Sequence, residues 1–221
     1  MKKPYNLGEW SIEGGGFCDR RLLSEEGLSM PQYIKLIPNA VPAEFCQNLM
    51  AKFDKDPHVE DDPQPEYSTR RYLNISAQMS WIKEMTKATQ YADPNIADYF
   101  RLPEPYTDRS IQEWINDGFI VAKYQAGDSC GFHDDHQTPI EPANGLRYLT
   151  VIIFLNDVAE GGELHFPVQG VKVKPVQGTM VIFPAQITHP HEVLATMSER
   201  YVLQTWVTDV KLRVYSDEGE Y

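Results

Sequence analysis

The sequence predicts a mainly β fold with bracing α-helices, a jelly roll in which the strands close into two facing sheets as a double-stranded β-helix. Three observations predict it. Seven short β-rich runs, at 119–124, 147–155, 163–166, 171–174, 179–183, 191–194 and 200–207, are separated by Gly, Pro, Asn or Asp. The stretches with helical spacing all come earlier, before Pro105. Antiparallel strands in such number leave unpaired edges unless they close on themselves, and helices that precede them can then cover the closed sheets from outside. No repeat, low-complexity tract or linker marks a second domain. Residues 1–221 are therefore read as one domain, with an irregular arm at 1–30, helix-rich support at 31–105 and the jelly-roll core at 106–210.

Composition bounds the function. A chain of 221 residues can bury a substantial core, and 42% apolar content excludes a disordered chain. The formal charge is −12, from 32 acidic and 20 basic residues, which disfavours nucleic acid as a partner and favours a basic polypeptide. Cys18, Cys46 and Cys130 are odd in number and far apart, against a disulfide framework and in favour of a reducing compartment. Met1–Gly8 has two lysines but no apolar stretch behind them, unlike a secretory signal. The longest apolar run, Val151–Leu155, is strand length and not a membrane span. The expected location is cytoplasmic.

Taken in order, Gly14–Gly16 and charges without a period form the arm. A short strand at 33–38 leads to a helix at 43–53, where Phe45, Leu49, Met50 and Phe53 recur at helical spacing behind Pro42. Residues 54–67 hold three prolines and six carboxylates, which forbid a helix or a central strand. A solvated surface loop is the plain reading and a lid over a site the sharper one. A strand at 68–75 follows, then a helix at 76–92 with Ser76 as N-cap and Met79, Ile82 and Met85 on its apolar side, then a separate short helix at 94–100. Residues 113–118 contain a turn signal ahead of the first core strand.

The chemistry concentrates at Phe132-His133-Asp134-Asp135. In extended backbone alternate side chains share a face, so His133 and Asp135 point one way. An imidazole and a carboxylate aimed together can hold a divalent metal, and His189 and His191 offer a second imidazole downstream. Two histidines and one carboxylate leave the other metal positions open, the facial arrangement of non-haem Fe(II) oxygenases. An isolated His-x-Asp is more often a surface loop, but five of the six histidines fall in the β-rich part. His136 should point away from the metal, His165 should line the pocket or pack in the core, and Cys130 lies close by without matching a ligand position.

Arg200 opens a run whose two faces, Arg200, Val202, Gln204, Trp206 and Tyr201, Leu203, Thr205, Val207, are both mostly apolar. A guanidinium buried there without a partner is strongly unfavourable. It is expected to meet an anion, either a structural carboxylate such as Asp157 or the carboxylate of a bound cosubstrate.

The pattern Tyr124-x-x-Gly127, His133-x-Asp135, Arg147-x-x-Thr150, Phe154-Leu155-Asn156, Gly161-Gly162-Glu163-Leu164-x-Phe166-Pro167, Val173-x-Pro175, Gly178-x-Met180, Phe183, His191 and Arg200 resembles the prolyl 4-hydroxylase-like Fe(II)/2-oxoglutarate-dependent dioxygenases. The likeness is close over 119–207, and 39–53 is similar to the helical segment that precedes the core in that family. It implies that His133, Asp135 and His191 hold Fe(II), with His191 preferred to His189 by its distance from Arg200. It implies a 2-oxoglutarate pocket formed by Arg200, Tyr124, Thr150, Ile152, Phe154, Leu164 and Trp206, with Arg200 on the distal carboxylate. Phe154 stands where many relatives that use arginine carry a tyrosine, so Thr150 or Tyr124 is expected to replace the missing hydroxyl.

The resemblance further implies O2 as co-reactant, stimulation by ascorbate, and oxidative decarboxylation of 2-oxoglutarate coupled to hydroxylation of a C–H bond. The expected target is a prolyl residue of a peptide or protein, with residues 137–145 placed to meet it. Hydroxylation of a free amino acid or small metabolite is the alternative among enzymes. A non-catalytic jelly-roll binding or sensing module is the alternative outside them.

Overall fold

The computed structural model describes residues 33–63, 65–101, 111, 114–136 and 146–208. The expected arm at 1–30 and the loop at 137–145 lie outside them. In chain order the elements are β1 (Lys35–Ile37), α1 (Ala43–Phe53), β2 (Glu60–Asp61), β3 (Arg71–Asn74), α2 (Ile82–Phe100), β4 (Ile115–Tyr124), β5 (Cys130–His133), β6 (Arg147–Phe154), β7 (Leu164–Phe166), β8 (Val171–Val173), β9 (Met180–Pro184), β10 (His191–Val193) and β11 (Arg200–Thr208). Among the described residues they form two antiparallel sheets. The larger has the order β1-β9-β6-β11-β4-β3-β2, and the smaller β5-β10-β7-β8. None of the described helices is long and apolar enough to cross a membrane.

The larger sheet is covered on both faces, which explains why β6 and β11 are mostly apolar and β11 is buried along its whole length. Val151, Ile153, Leu203 and Val207 pack against Phe45, Leu49, Phe53, Trp81, Ala88 and Ile96 of the helical layer. Ile152, Phe154 and Val202 point the other way and meet Leu164, Phe166, Val173 and Val193 of the smaller sheet. Each fully buried side chain of this kind contributes roughly 1.5–3 kcal/mol. A charge within β11 therefore needs a compensating role.

Three local expectations change. The helices expected at 76–92 and 94–100 are one helix, α2, with Pro94 inside it. Proline removes one intrahelical hydrogen bond, and burial of Ala88, Ala92 and Ile96 along a single face holds the two halves together. Ser76 is not the N-cap. It lies in a 3₁₀ turn (Ile75–Ala77) capped by Asn74, and its Oγ accepts the Phe119 backbone N–H at 2.7 Å. Met79 and Ile82 are exposed, and Trp81 between them takes the core position.

The turn signal around Asn116-Asp117-Gly118 is a bulge inside β4. Thr205 pairs with Phe119 and Val207 with Asn116, so the β4 side carries one extra residue. Gly118 takes φ +82° there, the left-handed region glycine adopts without a Cβ clash. Glu113 lies outside the described residues.

Candidate active site

The smaller sheet brings the two imidazoles together. His133 on β5 and His191 on β10 are direct cross-strand partners, and their ring centroids lie 4.5 Å apart. Asp135, two residues beyond β5, places Oδ1 3.6 Å from His133 Nε2 and Oδ2 3.6 Å from His191 Nε2. The three ligand atoms lie within 4.8 Å of one another.

Hydrogen bonds behind the site orient each group. His133 Nδ1 donates to the Gly131 carbonyl at 2.7 Å and His191 Nδ1 to the His189 carbonyl at 3.1 Å. With Nδ1 of each ring donating to a backbone carbonyl, Nε2 is the ring atom turned toward Asp135 and left to meet a metal. Thr150 Oγ1 donates to Asp135 Oδ2 at 2.6 Å, which steadies the carboxylate from β6. His189 stands outside the cluster, with Nδ1 3.0 Å from Thr188 Oγ1, and supplies only its carbonyl.

The two imidazoles differ electrostatically although each lies 3.6 Å from the carboxylate. Burial alone would lower His133, but Asp135 and Cys130 push it up to about 11. His191 is far more enclosed, with a side chain 4% exposed against 35% for His133. Burial therefore wins over the attraction of Asp135, and the His191 pKa falls below its ordinary value. Burial would raise Asp135, yet the two histidines and Thr150 hold it well below the usual carboxylate range.

Register in the larger sheet builds the opposite wall. Arg200 pairs with Tyr124, Gln204 with Ile152, and Trp206 with Thr150. Arg200 is 1% exposed. Its Nε donates to the Gly162 carbonyl at 2.9 Å, and neither Nη has a hydrogen-bond partner among the described residues. Asp157 accepts the Gln177 backbone N–H and does not serve as its counter-ion. Gly162 is required beneath it: at φ +69° an added Cβ would stand 3.0 Å from Arg200 Cδ.

A cavity of about 410 Å³ joins the two walls. Tyr124, His133, Asp135, Thr150, Ile152, Leu164, His191, Arg200 and Trp206 line it. Phe154 does not. Its ring centroid lies 5.4 Å from the Arg200 guanidinium carbon, within the core between the sheets. His165 turns away from the cavity and bonds Glu192 at 2.7 Å, because Leu164 and Phe166 take the inward positions of β7.

Further lining residues carry chemistry that sequence reasoning did not assign. Arg70 is held by Asp62 at 2.9 Å and reaches toward Tyr124 and Gln204. Arg147 bonds Asp117 and stacks on Trp206, its guanidinium carbon 3.7 Å from the ring centroid. Period-two alternation from Arg200 pointed to Gln204. No pattern distinguishes Arg70 from its neighbour Arg71.

Two imidazoles and a carboxylate suit ferrous iron, and an orphaned buried guanidinium across the same cavity suits the far carboxylate of a dicarboxylic acid. The residues fit both groups. A double-stranded β-helix carrying such a centre defines the class of non-haem iron oxygenases.

Comparison with known proteins narrows the class. Residues 119–208 match the family model described as the 2OG-Fe(II) oxygenase superfamily. A protein of Arabidopsis thaliana called probable prolyl 4-hydroxylase 9 is 24% identical over 202 residues, covering 78% of this chain and 67% of its own length. Matches to two other prolyl 4-hydroxylase relatives cover 31% and 64% of their lengths, so the chain spans about two thirds or less of the curated relatives it matches. The fold is shared with a Trichoplax adhaerens prolyl hydroxylase solved with a hypoxia-inducible factor peptide fragment (TM-score 0.66, 17% identity, 85% of this chain and 88% of that one). It is also shared with a viral collagen prolyl hydroxylase of Paramecium bursaria Chlorella virus-1 solved with 2-oxoglutarate (TM-score 0.59, 19% identity, 82% and 98%). The core of the chain is thus similar to the 2OG-Fe(II) oxygenase superfamily, and its wider sequence and fold are similar to those of prolyl 4-hydroxylases.

Proposed function

We propose that the protein hydroxylates a prolyl residue of a peptide or protein, in a single domain where residues 31–105 support the catalytic core. One observation carries the reading most: the orphaned Nη groups of Arg200 share a cavity with His133, Asp135 and His191. Those three side chains would hold Fe(II), whose chemistry when bound is O2 activation with 2-oxoglutarate as electron donor. Arg200 binds and orients the distal carboxylate. Thr150 holds Asp135 in place, while Ile152 and Leu164 exclude water from the cosubstrate. Tyr124 closes the pocket beside Arg200, with Phe154 as apolar backing.

Arg147, fixed by Asp117 and stacked on Trp206, stands where a substrate backbone carbonyl can accept a hydrogen bond. The peptide in the Trichoplax relative supports a polypeptide substrate. The charge of −12 and the presence of Asp134 on the cavity lining favour basic residues around the target proline. Cys46 and Cys130 are free thiols, which suits the cytoplasm.

The iron-loaded protein is incubated with 2-oxoglutarate, ascorbate and parallel panels of basic proline-containing peptides and free amino acids, followed by mass spectrometry. A one-oxygen gain on a peptide proline, with matching succinate, is the expected result. Oxygen gain on free amino acids alone would move the substrate to small metabolites. No succinate with any panel would leave a binding module.

A further inference from the structure

We infer that Arg70 is a positioning residue for the cosubstrate: it turns the donor ends of Tyr124 and Gln204 into the cavity beside Arg200. The inference rests on the reading of Arg200 as the 2-oxoglutarate anchor. Arg70 lies just before β3, and its Nε is bonded to Asp62 Oδ2 at 2.9 Å. The Asp62 backbone N–H in turn donates to the Arg70 carbonyl at 2.9 Å, so side chain and backbone lock the same pair of residues.

With its Nε so held, Arg70 extends Nη1 to 3.3 Å from Gln204 Oε1 and 3.5 Å from the Tyr124 hydroxyl. Both contacts are long, but a guanidinium carries only donors. Whatever faces it must present oxygen. Gln204 then has its carbonyl committed to Arg70 and its NH2 group turned away, and Tyr124 has its oxygen accepting and its O–H free to point elsewhere. Gln204, Tyr124 and Arg200 line one cavity. Arg70 therefore converts two ambivalent side chains into donors for an anion.

The surrounding residues make those donors necessary. Phe154, 5.4 Å from the Arg200 guanidinium carbon, has no polar side-chain atom to offer. Thr150 cannot serve either, because its hydroxyl proton is committed to Asp135 at 2.6 Å. Tyr124, Gln204 and the indole N–H of Trp206 are the neutral donors left on this wall among the described lining residues, and of these Tyr124 and Gln204 are the two that Arg70 orients. A dicarboxylate accepts hydrogen bonds and gives none, so the direction in which they point decides whether the pocket attracts or repels it.

The test uses the Mn(II)-loaded protein without oxygen, titrated calorimetrically with 2-oxoglutarate. Arg70→Met should weaken binding about tenfold, the size of one lost hydrogen bond to a charged group. Gln204→Leu should do the same, and the double variant should be weaker than either alone by less than the product of the two losses. Gln204→Glu keeps an oxygen for Arg70 but offers no donor, so it should bind 2-oxoglutarate more weakly than Gln204→Leu. In turnover, Arg70→Met should raise the KM for 2-oxoglutarate with kcat within about twofold, and Arg70→Lys should restore part of the loss.

Binding by Arg70→Met within about twofold of the parent protein, or Gln204→Glu binding as tightly as Gln204→Leu, overturns the inference. The second comparison stands even if Arg70→Met fails to fold. Arg200→Met is the control that separates the two readings. If it also binds 2-oxoglutarate normally, the anchor assignment falls. If it alone loses binding, only the role of Arg70 does.

Discussion

Replacing Arg200 with Met should separate folding from cosubstrate binding, because the same guanidinium acts on the two in opposite directions. Arg200 is 1% exposed, and among the described residues it is hydrogen-bonded only through Nε. Exchanging an incompletely paired buried charge for an apolar side chain of similar length stabilises by roughly 1–4 kcal/mol. The lost hydrogen bond to Gly162 takes back about 1 kcal/mol. The balance is roughly 0 to 3 kcal/mol in favour of the variant. At about 2–4 °C per kcal/mol for a domain of this size, its melting temperature should be unchanged or up to about 10 °C higher.

Binding should move the other way. Two charge-assisted hydrogen bonds from Nη1 and Nη2, at roughly 1.5–3 kcal/mol each, correspond to a loss in 2-oxoglutarate affinity of about a hundredfold or more. Thermal unfolding of the Mn(II)-loaded parent and variant, each with and without 2-oxoglutarate, measures both effects. Parent protein should show a ligand-induced rise in melting temperature that the variant lacks. A variant that melts several degrees lower without ligand, yet keeps the parent's rise, would make Arg200 a structural cation and refute the reasoning.

Other perturbations test the parts around it. Thr150→Val removes the donor at 2.6 Å from Asp135 and should weaken Mn(II) binding about tenfold or more, read by electron paramagnetic resonance titration. Gly162→Ala forces a Cβ to 3.0 Å from Arg200 Cδ at φ +69°; it should cost roughly 1–2 kcal/mol of stability and lower 2-oxoglutarate affinity, both measurable on one purified variant. Metal binding at neutral pH should release about one proton, because His133 is raised to about 11 whereas His191 is lowered and already neutral. Release of two protons, or of none, would contradict the electrostatic asymmetry.

Without metal the same shifts set opposite limits on stability. The raised His133 stabilises fully below about pH 6.5, and that contribution is lost as pH climbs toward about 11. The depressed Asp135 stabilises above about pH 4 and loses its contribution as pH falls further. Chemical denaturation of the metal-free protein across this range should show both declines.

The convergence of His133 and Asp135 was legible from extended-backbone alternation, whereas the choice of His191 over His189 came from the family resemblance. Residues two apart share a face of extended backbone and are the nearest pair that can, which puts His133 and Asp135 side by side. The two-sided burial of β11 was legible for the same reason, and it marked Arg200 as a charge in need of an anion. What the sequence concealed depends on contacts between distant segments. Arg70 and Arg71 are chemically identical neighbours, and the pairing of Asp62 with Arg70 beside the β2–β3 ladder holds that one part-buried against the cavity, while Arg71 stays exposed beside Asp61. Phe154 was expected in the pocket, yet its phenyl ring lies in the core beside the guanidinium. Pro94 reads locally as a helix boundary, but packing along one side of α2 outweighs a single missing hydrogen bond. Asn116-Asp117-Gly118 has turn chemistry, and the neighbouring strand β11 makes it a bulge instead.

The central claim is that two histidines from one sheet and a carboxylate beyond its edge grip a metal across the cavity from a buried guanidinium. A crystal structure grown with Mn(II) and N-oxalylglycine tests it most directly. The account predicts His133 Nε2, Asp135 and His191 Nε2 on the metal, and the distal carboxylate of the inhibitor paired with both Nη atoms of Arg200. A metal bound through His189, or an inhibitor whose distal carboxylate lies out of reach of Arg200, would contradict it.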